Sequence, residues 1–427
     1  MAGAAQNVRT SVVALAAMLA LSLAVASGAR AQGTGPPTLQ AKAAIVMEES
    51  TGDILFEKNA SKRRAIASTT KLMTVLVALE NNDLDDVLRA ADYRASPVES
   101  QLGLRTDESM SVRDLLRASL LPSANDAAAT LAVGTMGSTK AFVAEMNKRA
   151  GELGLRDTHY TNPVGLDAPG NYSSARDLAR LAIRLRRSEF FRRTTDLPSA
   201  TLRSGAITRR VTNRNTLVRQ EDFVNGVKTG HTSAAGYILV GSARRDGVTV
   251  ISVVLGEPSE GARDSDSLKL LRYGLRGYEA ATPLAQGRVV GSVALRYRDE
   301  ESIDVVAGET VRRVLRKGAR TRMSITGLPQ ELDGPLPRGS RVATATVRSG
   351  DEVLARVPIV TARPVEEAGL GTRLSDLVGR SETIVALMVL LICSLPLVIL
   401  RRRAMRRRRV LDAEDRRARR HEETQVS

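Results

Sequence analysis

The sequence has no tryptophan, one cysteine and three histidines in 427 residues, and only 3 % of it is aromatic. Each shortage excludes a kind of chemistry. The single thiol, Cys393, lies in an apolar run near the C-terminus, so no disulfide framework exists and the fold must hold on packing alone. His159, His231 and His421 stand far apart, and neither His-Glu-x-x-His nor Cys-x-x-Cys occurs. That leaves zinc-type catalysis without a ligand set, and no metal or cofactor is expected. Sparse aromatics offer few platforms for base stacking, so the net charge of +16 does not point to nucleic acid.

Much of that charge sits in the terminal segments. Residues 401–427 hold 11 Arg against 5 Asp+Glu, and Arg9 and Arg30 lie in the leader, which leaves +8 on the chain between. Such an excess suits an anionic envelope surface, and ordinary solvated charge accounts for it equally well.

Two long apolar runs set the topology. "SVVALAAMLALSLAVA" follows Arg9 and precedes the small-x-small stretch Ala29-Arg30-Ala31, which reads as a signal peptide over residues 1–31. An uncleaved anchor is the alternative, and both imply export. "TIVALMVLLICSLPLVIL", residues 383–400, carries no charge. At ~1.5 Å rise per residue it is long enough to cross a hydrocarbon core of ~30 Å. "RRRAMRRRRV" follows at once. The positive-inside rule then predicts a single transmembrane helix over 382–400 and a cytoplasmic basic tail over 401–427. Residues from about 32 to 380 would lie outside the bacterial cell membrane. A buried core helix is the competing reading, and the arginine cluster argues against it.

Between these runs the periodicity changes twice. "KAAIVMEES" and "DILFEKN" read as strands joined by a turn at Thr51-Gly52. Helical patterns follow: residues 68–80, "SVRDLLRASLL", "SANDAAATLAV", "TKAFVAEMNKRAGELGL" and "SSARDLARLAIRLRRS". Ser111 with Asp114, and Ser174 with Asp177, have the spacing of capping boxes. Strands return in "FVNGVKTGHT", "GYILVGSAR" and "VTVISVVLG", the last two joined across Arg245-Asp246-Gly247. This order predicts an α+β domain, one mixed sheet with helices around it, over residues 40–278. Short strands with glycine turns then suggest a small all-β domain over 283–364, and a linker over 365–381 leads to the apolar run.

Ser68 precedes Lys71 by one helical turn, so the two side chains share a face. A lone Ser-x-x-Lys is an ordinary coincidence in a chain of this length. Here, however, Leu72, Met73, Val75 and Leu76 surround the lysine with apolar neighbours. Burial lowers a lysine pKa from its usual ~10.4. A neutral amine beside a hydroxyl is a general base beside a nucleophile. Two further stretches join them: Ser123-Ala124-Asn125 and Lys228-Thr229-Gly230. Each has a plain structural explanation, Ser123 or Asn125 as helix cap and Lys228 as an ordinary strand lysine.

In this order the three stretches resemble the Ser-x-x-Lys, Ser-x-Asn and Lys-Thr-Gly elements of penicillin-interacting serine enzymes. "IASTTKLMT", "LLPSANDAAATLA", "THYTNPVGLD" and "GVKTGHTSAAGY" are similar to D-alanyl-D-alanine carboxypeptidases, the low-molecular-mass penicillin-binding proteins. The likeness spans roughly residues 40–278 and, more weakly, the β domain. Ile66 departs from it, standing where many relatives have proline, and so does "RTDESMSV", where a Gly-Glu turn is more usual.

The resemblance implies a serine β-lactamase/DD-peptidase-like fold and a specific division of labour. Ser68 would attack the carbonyl between the terminal D-alanines of a peptidoglycan stem peptide, with Lys71 as base. Ser123, helped by Lys228, would return a proton to the departing D-Ala. Asn125 would orient Lys71 and the substrate amide. Lys228 and Thr229 would receive the substrate carboxylate, and Gly230 would leave room for substrate along the strand. The backbone N–H groups of Ser68 and His231 would form an oxyanion hole, roughly 3–4 kcal/mol per donor. β-Lactam antibiotics would acylate Ser68 in the same way.

Four rivals remain at this point. A class A β-lactamase would need a glutamate between the second and third elements, and residues 153–188 contain none. A peptidoglycan DD-endopeptidase differs only in pocket shape. A scaffold that kept the fold and lost catalysis would use the β domain instead. A Ser-His-Asp hydrolase has no Gly-x-Ser-x-Gly to start from.

Overall fold

The computed structural model describes residues 35–298, 301–373 and 381–425. The predicted signal peptide over 1–31 and residues 374–380 of the predicted linker lie outside the described residues. The chain divides into two units after Ala280, with Val314–Lys317 belonging to the first.

A five-stranded antiparallel sheet forms the first unit's centre. Its strands are β1 (Ala43–Glu48), β2 (Ile54–Lys58), β3 (Val224–Thr232), β4 (Gly236–Arg245) and β5 (Val248–Glu257), in the order β2-β1-β5-β4-β3. All six residues of β1 are buried, because both faces of the sheet are covered. The alternation of the strand decides which side chain meets which layer. Ala43, Ile45 and Met47 enter one apolar cluster with Val253 and Leu255. Ala44 and Val46 join Val250 and Val254 in another. At about 1.5–3 kcal/mol per fully buried aliphatic side chain, these two layers hold the sheet without any bridge. The β4–β5 hairpin turns on Asp246 (φ 50°) and Gly247 (φ 81°), the positive-φ pair of a type I′ turn, within the Arg245-Asp246-Gly247 stretch expected to join the two strands.

One face carries the helices α1 (Lys71–Asn81), α2 (Val112–Leu120), α3 (Asn125–Met136), α4 (Thr139–Glu152) and α5 (Ala175–Leu185). The other carries α6 (Glu260–Gly277), whose Leu270 and Leu271 pack on the sheet. The predicted capping boxes form by halves. Ser111 accepts the Asp114 N–H at 3.3 Å and Ser174 that of Asp177 at 3.1 Å. Neither acid returns the bond. Asp114 instead accepts the N–H groups of Arg203 and Ser204, and Asp177 that of Asp157 with the Thr158 hydroxyl. Each acid therefore ties its helix start to a distant segment. The element read as a helix over 68–80 begins as a 3-10 turn, Ala67–Thr70, and becomes α-helical only at Lys71.

The second unit is built on a six-stranded sheet. Its spatial order is Thr321–Thr326, Arg341–Ser349, Glu352–Thr361, Ser302–Ala307, Val289–Leu295 and Glu331–Leu332. Only the last pairing is parallel. Val293, Ile303, Val305, Ala345, Val347, Val357 and Ile359 are buried in it. A final helix, α7, runs from Ser381 to Gln425. Its window Ile384–Arg409 is long and apolar enough to cross a membrane, and none of it is buried in the protein. The basic segment predicted as a tail thus continues the same helix.

Candidate active site

The serine–lysine pair is set by the turn that opens α1. The Ile66 carbonyl accepts the Thr69 N–H at 3.1 Å and the Thr69 hydroxyl at 2.5 Å, which closes the 3-10 turn. Ala67 takes a left-handed φ of 45°. Lys71 is fully buried, and its Nζ lies 3.1 Å from Ser68 Oγ, 2.5 Å from Asn125 Oδ1 and 2.5 Å from the Val164 carbonyl oxygen. Burial pushes its pKa from 10.5 down to about 7, against the charges of Glu99 and Asp126. A neutral amine has two hydrogens and one lone pair. Asn125 and Val164 accept the hydrogens, so the lone pair is left for the Ser68 hydroxyl.

The second element lies opposite. Ser123 is held at φ 69° one residue before the N-cap of α3, and that cap, Ala124, has no side-chain bond. Neither Ser123 nor Asn125 caps the helix. Ser123 Oγ is buried and has no hydrogen-bond partner among the described residues. Asn125 Nδ2 donates to Glu99 Oε2 at 2.6 Å, and the Tyr93 hydroxyl donates to the same oxygen at 2.5 Å. Burial raises the Glu99 pKa, but the bonds from Tyr93 and Asn125 outweigh it and hold the carboxyl below its usual range.

Lys228, Thr229 and Gly230 lie on β3, the edge strand beside this turn. Lys228 is buried, its Nζ donating to the Thr229 carbonyl at 3.0 Å. Burial, then the charges of Lys71, Arg214 and Arg263, lower its pKa well below the usual lysine value. A Cβ on Gly230 would stand 3.2 Å from the Ile66 carbonyl oxygen and 3.3 Å from Ser68 N. The missing side chain therefore lets β3 pass close to the serine turn, and Gly230 also lines the cleft. The His231 ring is exposed and stacks on Tyr237, centroids 4.0 Å apart.

The cleft these elements enclose has a volume of about 980 Å³. Three contributors escaped the sequence reading. Glu99, with Tyr93, positions Asn125. The Val164 carbonyl, which takes one hydrogen of Lys71, belongs to a loop wound around Asn162, whose Oδ1 accepts the N–H groups of Val164, Gly165 and Leu166. Gly165 (φ +91°) passes so close that a Cβ there would stand 2.1 Å from the Ala67 oxygen. "TNPVGLD" carried the signal, as an Asn three residues before a Gly. Arg214 also lines the cleft, exposed, its guanidinium without a partner among the described residues. Among the described residues no cluster of His, Cys, Asp or Glu could hold a metal.

The family model for D-alanyl-D-alanine carboxypeptidase, peptidase S11, matches residues 30–259. The chain belongs to this family. As a member it is a serine D-alanyl-D-alanine carboxypeptidase, a hydrolase of a family that acts on peptidoglycan peptides and is acylated by β-lactams. The C-terminal domain of penicillin-binding protein 5 matches residues 278–367. The chain is 35 % identical over 359 residues to a D-alanyl-D-alanine carboxypeptidase DacD of Escherichia coli, covering 80 % of this chain and 91 % of that one. It is 31 % identical to DacF of Bacillus subtilis, covering 80 % and 90 %. Among solved structures, penicillin-binding protein 5 of Haemophilus influenzae matches at a TM-score of 0.58 with 30 % identity, over 78 % of this chain and all of that one. The Streptomyces K15 DD-transpeptidase matches at 0.54 with 36 % identity, over 56 % and 99 %.

Proposed function

We propose that the carboxypeptidase reaction runs through an acyl-enzyme on Ser68. The observation that carries this is the lysine: fully buried, held near neutrality and aimed at the Ser68 oxygen 3.1 Å away. Lys71 takes the serine proton as Ser68 Oγ bonds to the penultimate D-Ala carbonyl. The backbone N–H groups of Ser68 and His231 receive the developing oxyanion. The unpartnered Ser123 hydroxyl passes a proton to the departing D-Ala, and Asn125 keeps Lys71 aligned. Thr229 and Lys228 meet the terminal carboxylate, joined by Arg214, an exposed cation of the cleft whose guanidinium has no partner among the described residues. Water then hydrolyses the ester. D-Ala release from a stem pentapeptide by the full-length protein in detergent, with Ser68→Ala as control, tests the assignment. Release by both proteins, or by neither, overturns it.

We further propose that α7 crosses the cell membrane once, with the arginine segment in the cytoplasm and the enzyme outside. The seven arginines of residues 401–409 directly after the apolar stretch support this orientation. A protease added outside intact cells should digest the catalytic unit and spare an epitope fused to the C-terminus. The opposite pattern would reverse the topology.

A further inference from the structure

The sheet of the second unit has a face that its core does not use. Ala343, Ala345 and Val347, with Val357 and Ile359, point to the packed side. Strand alternation sends their neighbours to the other. The strand Thr321–Thr326 ends the spatial order, and its Met323 and Ile325 stand opposite Val347 and Ala345. Arg322 therefore lies on the outer face, directly opposite Arg348 of the adjacent strand. The next strand brings Val353 opposite Arg348 and Arg356 opposite Thr346. All three arginines and Val353 are exposed.

Nothing within the protein balances this corner. Like charges directly across a strand pair destabilise it. Among the described residues, the guanidiniums of Arg322 and Arg356 have no partner, and that of Arg348 donates only to the Asp351 carbonyl, at 3.3 Å. The nearby acids do not serve. Asp351 lies in the exposed turn and makes no ion pair among the described residues. Glu352 stands opposite Ser349, on the packed side. Asp304 sits level with Ala362, at the far end of the face, and Glu331 lies on the strand at the opposite edge. The arginine pair thus calls for an anion that the chain itself does not supply.

A flat basic corner with an exposed aliphatic residue among the charges has the chemistry of a lipid surface. Guanidiniums meet phosphate headgroups, and the aliphatic side chain enters the boundary below them. The chain also keeps such a surface within reach. Ala368, the last buried residue of the sheet domain, is 16 positions before Ile384, where the membrane-length stretch begins. Fully extended at ~3.5 Å per residue, that segment spans at most about 55 Å. We propose that Arg322, Arg348 and Arg356, around Val353, rest on the anionic headgroups of the membrane that α7 spans. This rests on the topology proposed above. Each arginine near an anionic surface is worth about fivefold in binding, so the three together give about a hundredfold. That is too little to hold a free protein on a membrane, and enough for a domain tethered beside one.

The test uses the full-length protein with Cys393→Ser and Ser324→Cys, which places a single fluorophore on the outer face next to the arginines. It is reconstituted in lipid nanodiscs whose headgroups carry a quencher. Quenching should be strong in phosphatidylglycerol and weak in phosphatidylcholine. It should disappear at 1 M salt, where the screening length falls to about 3 Å from about 8 Å at physiological salt. Arg322→Gln with Arg356→Gln, both exposed changes, should cut the docked-to-free ratio about 25-fold and keep D-Ala release from a pentapeptide within twofold. Equal quenching in the two lipids, or no effect of the double variant, overturns the inference. Unchanged quenching beside weaker binding of the double variant to purified cell-wall sacculi overturns it too, and assigns the face to the wall polymer. A protein that fails to enter the discs strikes the topology instead. Sedimentation with phosphatidylglycerol vesicles then decides for the face: weaker binding by the double variant supports it, and equal binding overturns it.

Discussion

At the scale of single residues, the proposed mechanism depends on one lysine being kept from being an ordinary lysine. Lys71 titrates at about 7 in the folded protein, so its basic form accumulates as pH rises through that value. Acylation of Ser68 by a penicillin, followed by stopped flow, should accelerate from acid pH to about 7 and level off above it; a flat profile would remove Lys71 as the base. The same displacement acts on stability. Between about 7 and the unfolded lysine value of ~10.4, the unfolded chain binds the proton and the folded chain does not, so the contribution of Lys71 to stability grows with pH across that window. Glu99 pulls the other way, since its charge favours the ammonium form. Glu99→Gln should therefore move the midpoint of the acylation profile below about 7. A merely structural role would lower the rate and leave the midpoint in place, which makes the pH profile the deciding measurement.

At the scale of elements, one buried ion pair ties the strand Arg209–Thr212 to the loop that holds Glu108. The side chains of Arg209 and Glu108 are 9 % and 1 % exposed, and the guanidinium lowers the Glu108 pKa to about 2. Removing one partner of such a pair costs about 3–5 kcal/mol, because the other charge stays buried. Arg209→Met should lower the urea midpoint by a corresponding amount, and a loss below about 1 kcal/mol would mean that the loop relaxes around the change. As the folded pKa is depressed, the Glu108 contribution is complete above the unfolded value of about 4.5 and disappears as pH falls through about 2. Neither residue was legible as a pair, for 101 positions separate them and nothing local links them. The elements themselves were legible where a local rule decides. The buried strands, the hairpin across Arg245-Asp246-Gly247 and the serine side of each capping box follow from period and turn chemistry. The acids of those boxes were misread because tertiary donors compete with the helix N-terminus. The site residues that the motifs name all line or adjoin the cleft. The Val164 carbonyl was invisible for a simple reason: every residue has one, and only the fold selects which carbonyl faces Lys71.

At the scale of the whole chain, α7 carries a different kind of demand. From Ile384 to Leu400 its large apolar side chains lie exposed, with relative areas of 45–67 %. Water would penalise that surface at about 25 cal/mol per Å², whereas a hydrocarbon core accepts it at no such cost. In the proposed topology, arginines at 401–403 and 406–409 would stop the helix from sliding further through the bilayer. The catalytic cleft draws every one of its residues from the first unit, before Ala280. Truncation after residue 380 should therefore shift the protein from the membrane fraction to the soluble fraction while D-Ala release from a free pentapeptide stays within about twofold. Activity on intact, insoluble wall material should fall more steeply, since a membrane-held enzyme works at a high effective concentration near its polymer. Fractionation with paired assays on the two substrates reads both effects, and a truncated protein that still sediments with membranes would show that another surface of the chain provides the attachment.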